Sequence, residues 1–98
     1  MTDTRQDIRH EGGERHGAFF IEREGRRVAE LTYRMMGADA MVDHTWVDPK
    51  LRGGGEAKSL VLAAVEWARK EHMKLVPVCS YVRTVFDRTP AYSDVRKG

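Results

Sequence analysis

Residues 51–60 read LRGGGEAKSL. Three consecutive glycines separate an arginine from a run of small and apolar residues. Glycine gives up more chain freedom on folding than any other residue, so three together need a structural reason. After them, Ala57, Leu60, Val61, Ala64 and Ala68 fall on one helical stripe, flanked by Val65 and Trp67, and Lys58, Ser59, Glu66, Arg69 and Lys70 fall opposite. The spacing predicts an amphipathic helix over 56–72, with small residues that let it approach a sheet closely. The first turn of a helix has amide N–H groups without internal partners and a partly positive end. Glycines let a bulky anion reach those amides, and Arg52 adds a positive charge, so the stretch reads as a phosphate or pyrophosphate site. Taken alone, it also reads as a flexible loop with a glycine cap.

Upstream the period is two. AFFIERE (18–24), then Gly25, then RRVAELTYRM (26–35) predicts a β-hairpin, with Ala29, Leu31, Tyr33 and Met35 on one face and Val28, Glu30, Thr32 and Arg34 on the other. AMVDHTWV (40–47) predicts a third strand, ended by Asp48 before Pro49. Downstream, KLVPVCSYV (74–82) reads as a fourth strand, with Pro77 marking an edge or splay, followed by a short helix over 83–88. Residues 1–16 are polar and read as a flexible arm, leaving 17–98 as the folded domain. The order gives an α+β fold: an antiparallel meander, a crossover helix, a parallel strand beside 40–47 and a short C-terminal helix.

Two phosphate motifs do not fit the loop. Lys58 is out of register for Gly-Lys-Ser/Thr, and the dinucleotide pattern fails at its last glycine. A third does: residues 52–57 match R/Q-x-x-G-x-G/A between a strand and a helix. With DHTWVDPKLRGGGEAKSLV, LVPVCSYV and FDRTPAY around it, the chain resembles the small single-domain members of the GNAT superfamily of N-acetyltransferases, over about residues 18–95. The resemblance implies a minimal GNAT-like fold binding acetyl-CoA (coenzyme A). The pantetheine arm would lie between splayed strands 40–47 and 74–82, on backbone groups near Trp46 and Val47. The pyrophosphate would sit on amides of Gly53, Gly54, Gly55, Glu56 and Ala57, beside Arg52. Glu56 departs from the pattern, since its position is usually apolar, and its carboxylate is expected to point outward, away from a bound anion.

Acetyl transfer needs a deprotonated amine, a stabilised oxyanion and a proton for the leaving thiolate. His44, on a cofactor-facing strand, is a candidate base, or else a half-buried strand residue. Cys79, placed opposite it, is a candidate nucleophile or proton donor; its other reading is a small buried hydrophobe. The resemblance also implies a cysteine near the acetyl group. Tyr81 and Tyr92 are further proton donors or core residues. Ser80 would face away from Cys79. His10, His16 and His72 lack metal-ligand spacing, and no metal is expected.

The composition is that of a soluble globular chain, with 41% hydrophobic and 33% charged residues among 98. No apolar run reaches the ~20 residues of a membrane span. The N-terminus has no apolar signal region, and a lone cysteine cannot pair internally, so a cytoplasmic protein is expected. The formal net charge of +2 does not argue for nucleic acid. The expected partner is an amine acceptor, small molecule or protein, with no nucleic acid and no membrane, for a monomer or weak homodimer associating through Leu62 and Phe86. Two other readings stay open. One is a non-catalytic acyl-CoA-binding module. The other is an interaction or nucleic-acid-binding domain using Arg23, Arg26, Arg27 and Arg34.

Overall fold

The computed structural model describes residues 7–51 and 53–98. Five strands form one sheet in chain order: β1 (Ile8–Gly12), β2 (His16–Arg23), β3 (Arg26–Met36), β4 (Asp39–Val47) and β5 (Leu75–Pro77). The first four are antiparallel neighbours, and β5 lies parallel to β4. Between β4 and β5 come a 3-10 turn (Pro49–Leu51) and helix α1 (Glu56–Glu71). Helix α2 (Ser80–Arg88) and a second 3-10 turn (Pro90–Val95) close the chain. This is the expected α+β architecture of meander, crossover helix, parallel strand and short C-terminal helix.

One face of the sheet builds the core. Phe19, Ile21, Leu31 and Val42 point from the strands towards Leu60, Val61, Ala64, Val65 and Ala68 of α1, and Val82 and Phe86 of α2 close the same cluster. These positions are the inward half of the period-two strands and the predicted helical stripe. Each buried leucine or isoleucine stabilises the fold by ~1.5–3 kcal/mol. Helix α1 ends at His72, whose left-handed φ of 57° turns the chain back while its N–H reaches the last carbonyls.

Three expectations are corrected. The arm over 1–16 contains a strand: β1 pairs with β2 from Ile8↔Ile21 to Gly12↔Gly17. Its inward residues are Ile8, His10 and Gly12, a pattern with one apolar side chain and therefore no hydrophobic alternation. His10 takes the apolar role by stacking on Phe19 at 4.0 Å while its Nε2 meets the Tyr33 hydroxyl at 2.6 Å. Partial desolvation of the ring against Phe19 lowers the His10 pKa, although the residue as a whole stays exposed. Secondly, the strand expected over 74–82 stops at Pro77, and the helix expected over 83–88 begins at Ser80. Proline supplies no ladder donor, and the N–H groups of both Val78 and Cys79 converge on the Val42 carbonyl, which ends the pairing. Thirdly, Phe86 is 4% exposed and belongs to the core, so it offers no surface for association. Among the described residues no helix is long and apolar enough to cross a membrane.

Candidate functional site

Strand β4 carries one residue more than its neighbour. Tyr33 pairs with Val42 and Thr32 with His44, leaving Asp43 unopposed in a β-bulge. Before it, Ala40 and Val42 face the core. After it, Thr45 and Val47 return to that side, while Asp43, His44 and Trp46 are exposed on the outer face. A bulge bends its strand, and the ladder to β5 ends here, at Val42↔Pro77. Downstream, Asp48 donates its N–H to the Val28 carbonyl at 2.8 Å. By alternation, Thr45 and Val47 direct their backbone groups away from β3, into the opening beyond β5.

Asp48 sets up the turn that follows. It is 7% exposed. Its carboxylate accepts the Lys50 N–H at 3.0 Å and the Arg26 guanidinium at 3.1 Å. The Lys50 N–H first, and then Arg26, hold its pKa below the usual carboxylate value against the opposing effect of desolvation. The chain then enters the glycine loop. Gly53 has φ 88° and Gly55, the cap of α1, has φ 89°, the left-handed region that other residues enter at a cost of ~1–2 kcal/mol. Gly54 leaves room for a different neighbour, the Glu56 side chain. A Cβ there would lie 2.6 Å and 3.0 Å from the two carboxylate oxygens of Glu56.

The first helical hydrogen bond of α1 runs from the Ser59 N–H to the Gly55 carbonyl at 3.0 Å. The N–H groups of Glu56, Ala57 and Lys58 precede it and have no partner within the helix. Gly54 differs, because its N–H donates to the Leu51 carbonyl at 3.1 Å and is committed to the turn. Glu56 does not point outward as expected. It is 5% exposed and folds back against Gly54. Its Oε2 stands 3.6 Å from Arg23 of the β2–β3 hairpin, and its Oε1 is buried without a hydrogen-bond partner. The Arg23 charge draws the carboxylate inward, against the cost of taking it out of water.

These parts enclose a cleft of ≈ 600 Å³. Its lining includes Thr45, Trp46 and Val47 of β4, the loop residues Gly53, Gly55, Glu56, Ala57 and Lys58, and Tyr81 of α2. The N–H groups that open α1, without partners in the helix, lie at one end. At the other, Thr45 Oγ1 meets Cys79 Sγ at 3.4 Å. Cys79 is the N-terminal cap residue of α2, partly buried, with extended backbone. No side-chain hydrogen bond of good geometry caps the helix, but the amides of Tyr81 and Val82 face the sulfur. Burial pushes the thiol up. The Thr45 hydroxyl, the Val82 and Tyr81 amides and the Thr45 amide together outweigh it and hold the thiol below its ordinary value. Burial, and then the Cys79 charge, raise the Tyr81 hydroxyl, which therefore stays protonated at neutral pH.

The structure brings Trp46, Val47, Gly53, Gly55, Glu56 and Ala57 together around one cleft, and Cys79 touches it through Thr45 of its wall. It does not bring His44 to Cys79. His44 is exposed on the outer face of β4, and Thr45 is the residue that touches the thiol. Ser80 is the first residue of α2 rather than the far side of a strand. Tyr92 packs edge-on against Phe86, with ring centroids 5.8 Å apart. Arg52 lies outside the described residues. Sequence reasoning missed Thr45. Its signal was the spacing to Val47, two residues on, which puts both on the cleft side once the bulge is placed.

Against known proteins, the chain matches the family model described as GCN5-related N-acetyl-transferase over residues 18–95. It is similar to a GCN5-like protein of Staphylococcus aureus solved by NMR, with 31% identity, a TM-score of 0.71, and coverage of 94% of this chain and 90% of that one. It also superposes on the ribosomal-protein-alanine N-acetyltransferase of Brucella melitensis with TM-score 0.63 and 23% identity, covering 78% of this chain and 62% of that one. A third similar structure is AAC(6')-Iy in complex with a bisubstrate analogue, CoA-S-monomethyl-acetylneamine. There the TM-score is 0.56 and the identity 12%, with 88% of this chain and 65% of that one covered. The last two likenesses concern the fold.

Proposed function

Because the chain belongs to the GCN5-related N-acetyltransferase family, we propose that it binds acetyl-CoA in the cleft between β4 and the start of α1 and transfers the acetyl group to an amine. The observation that carries this reading is the continuity of the cleft. It runs from the N–H groups of Glu56, Ala57 and Lys58, which have no partner within α1, along β4 beyond its last pair with β5, to Thr45, whose side chain meets Cys79. The similar structure of AAC(6')-Iy was solved with a CoA-bearing analogue, which supports the same class of ligand.

The residues present suit that ligand. The N–H groups of Glu56, Ala57 and Lys58, at the positive end of α1, receive the pyrophosphate, with Arg52 as added charge. Gly53 and Gly55 leave open space on the loop, since a Cβ on either would meet nothing within 4 Å. The pantetheine amides pair with the backbone of Val47 and with the Thr45 carbonyl beside Trp46, as an added strand would, while the Thr45 N–H stays turned to the Cys79 sulfur. The thioester then supplies the activated acetyl group at the Cys79 end. There Tyr81, kept protonated, or Cys79 itself donates the proton that the departing thiolate needs. His44, on the outer side of the same strand, takes the proton of an amine arriving from that face. Positioning supplies most of the remaining acceleration.

A second reading is acyl-CoA binding without turnover. It is favoured by the separation of His44 and Cys79 on opposite sides of β4. Two measurements decide. Coenzyme A at a hundred times its dissociation constant should stabilise the fold by ~2.7 kcal/mol, which raises Tm by ~10–20 °C in a domain of this size. Pantetheine, lacking the phosphates, should give much less. Absence of any shift with coenzyme A would refute both readings. Release of free thiol from acetyl-CoA with a broad panel of amines separates enzyme from binding module.

A further inference from the structure

Glu56 opens α1, the position where the amide donors begin. The side chain is 5% exposed, and its Oε1 has no hydrogen-bond partner. Its Oε2 faces Arg23 at 3.6 Å, too far for a hydrogen bond. Both oxygens lie over Gly54, in the space that a Cβ there would need, 2.6 Å and 3.0 Å from where it would stand. A buried carboxylate is costly when, among the described residues, one of its oxygens has no hydrogen-bond partner. Among the described residues, the N–H groups of Glu56, Ala57 and Lys58 find no partner beside it. The carboxylate therefore fills the hollow of the loop without using the donors that make the hollow an anion site.

We propose that the Glu56 carboxylate is a tethered competitor: it occupies the space that the phosphates of coenzyme A take, and must leave before they enter. This rests on the loop being the coenzyme A site. Two like charges cannot share the hollow, so binding requires the side chain to rotate out. Arg23 at the hairpin end, half exposed and 3.6 Å from the buried carboxylate, is the charge that the side chain moves away from or carries with it. Glu56 thus sets affinity for phosphate-bearing ligands and discriminates against none that lack phosphate.

The test is calorimetric titration of the full chain and of Glu56→Gln with coenzyme A and with pantetheine. Glutamine keeps the size and removes the charge. Since like-charge juxtaposition in an interface is strongly unfavourable, Glu56→Gln should bind coenzyme A about tenfold more tightly or better. Pantetheine affinity should be unchanged. Glu56→Ala, which vacates the hollow, should show the same preference and guards against a glutamine that packs badly. If wild type binds coenzyme A and neither variant binds it more tightly, the competitor is refuted and the loop assignment stands. A gain shared equally by pantetheine refutes it in the same way. If neither wild type nor variants bind coenzyme A, the loop assignment fails and the competitor with it.

Discussion

Replacing Thr45 with valine removes one hydroxyl from beside Cys79 and keeps a side chain of nearly the same shape. The contact at stake spans 3.4 Å between Oγ1 and Sγ. In the neutral thiol, S–H can donate to the hydroxyl. In the thiolate, the hydroxyl must donate to sulfur, and that charged bond is the stronger of the two. Hydrogen bonds to charged groups contribute ~1.5–3 kcal/mol, and a contact this long belongs at the lower end. At 1.36 kcal/mol per pKa unit, Thr45→Val should raise the thiol pKa by about one unit. Burial, which already pushes the thiol up, persists in the variant, and the Val82 and Tyr81 amides still pull it down. The rate of iodoacetamide alkylation against pH measures this directly, because Cys79 is the only cysteine in the chain. Wild type should show a midpoint below the ~8.5 of a free thiol, and Thr45→Val a midpoint above wild type. An unchanged or lower midpoint in the variant would refute the reasoning. It would mean that the hydroxyl serves the protonated sulfur rather than the charged one.

Leu60→Ala should cost ~2–5 kcal/mol, because Leu60 is fully buried between α1 and the sheet. The urea midpoint should fall without a change in the slope of the transition. Asp48 has a depressed pKa, held down by the Lys50 N–H and by Arg26. Its stabilisation is therefore complete above the unfolded value of ~3.9 and is lost as pH falls through the lower folded value. Asp48→Asn should flatten that acid limb in urea midpoints measured against pH, and an unaltered limb would count against the Asp48 pairing. If transfer passes through the thiol, incubation with acetyl-CoA should leave an acetyl group on Cys79, seen by peptide mass spectrometry. Full turnover by Cys79→Ala, with no adduct in wild type, would leave direct transfer to the amine.

Where apolar spacing was regular, the fold was legible. The stripe of α1 and the alternation of β2 and β3 put Leu60, Val61, Ile21 and Leu31 in the core without any tertiary information. β1 was hidden because its inward positions are Ile8, His10 and Gly12, and a histidine stacked on Phe19 does a hydrophobic residue's work with a polar signature. Residues 78–82 misled through propensity. Valine, tyrosine and cysteine favour strands, but Pro77 ended the ladder, and the burial of Val82 and Phe86, four apart, carried the chain into a helix. At the site, the glycine loop was legible because only glycine tolerates φ near 89° at the cap of α1. The separation of His44 from Cys79 was not. It follows from one extra residue in β4, and pairing with a strand distant in sequence decides where such a residue sits. The inward turn of Glu56 depends likewise on Arg23, 33 positions earlier in the chain, whose side chain comes within 3.6 Å.

The extra residue at Asp43 also makes β4 unusually indifferent to its own length. Losing one residue from a strand normally inverts every position beyond the cut, and a core residue is delivered to solvent. Here Asp43 and His44 already share the outer face, so excising Asp43 leaves Val42 inward, His44 outward and Thr45 inward, as they stand now. A shortened chain would lose the Asp43 contact to the Thr32 hydroxyl at 2.7 Å, on the exposed face, and little else of its interior. What it would lose is the bend. A straightened β4 would run on beside the chain that follows Pro77, and the gap that separates them would narrow. In this fold a shape and a hydrophobic interior are inherited separately. A one-codon deletion could silence the cleft in a protein that still expresses, folds and melts much as before.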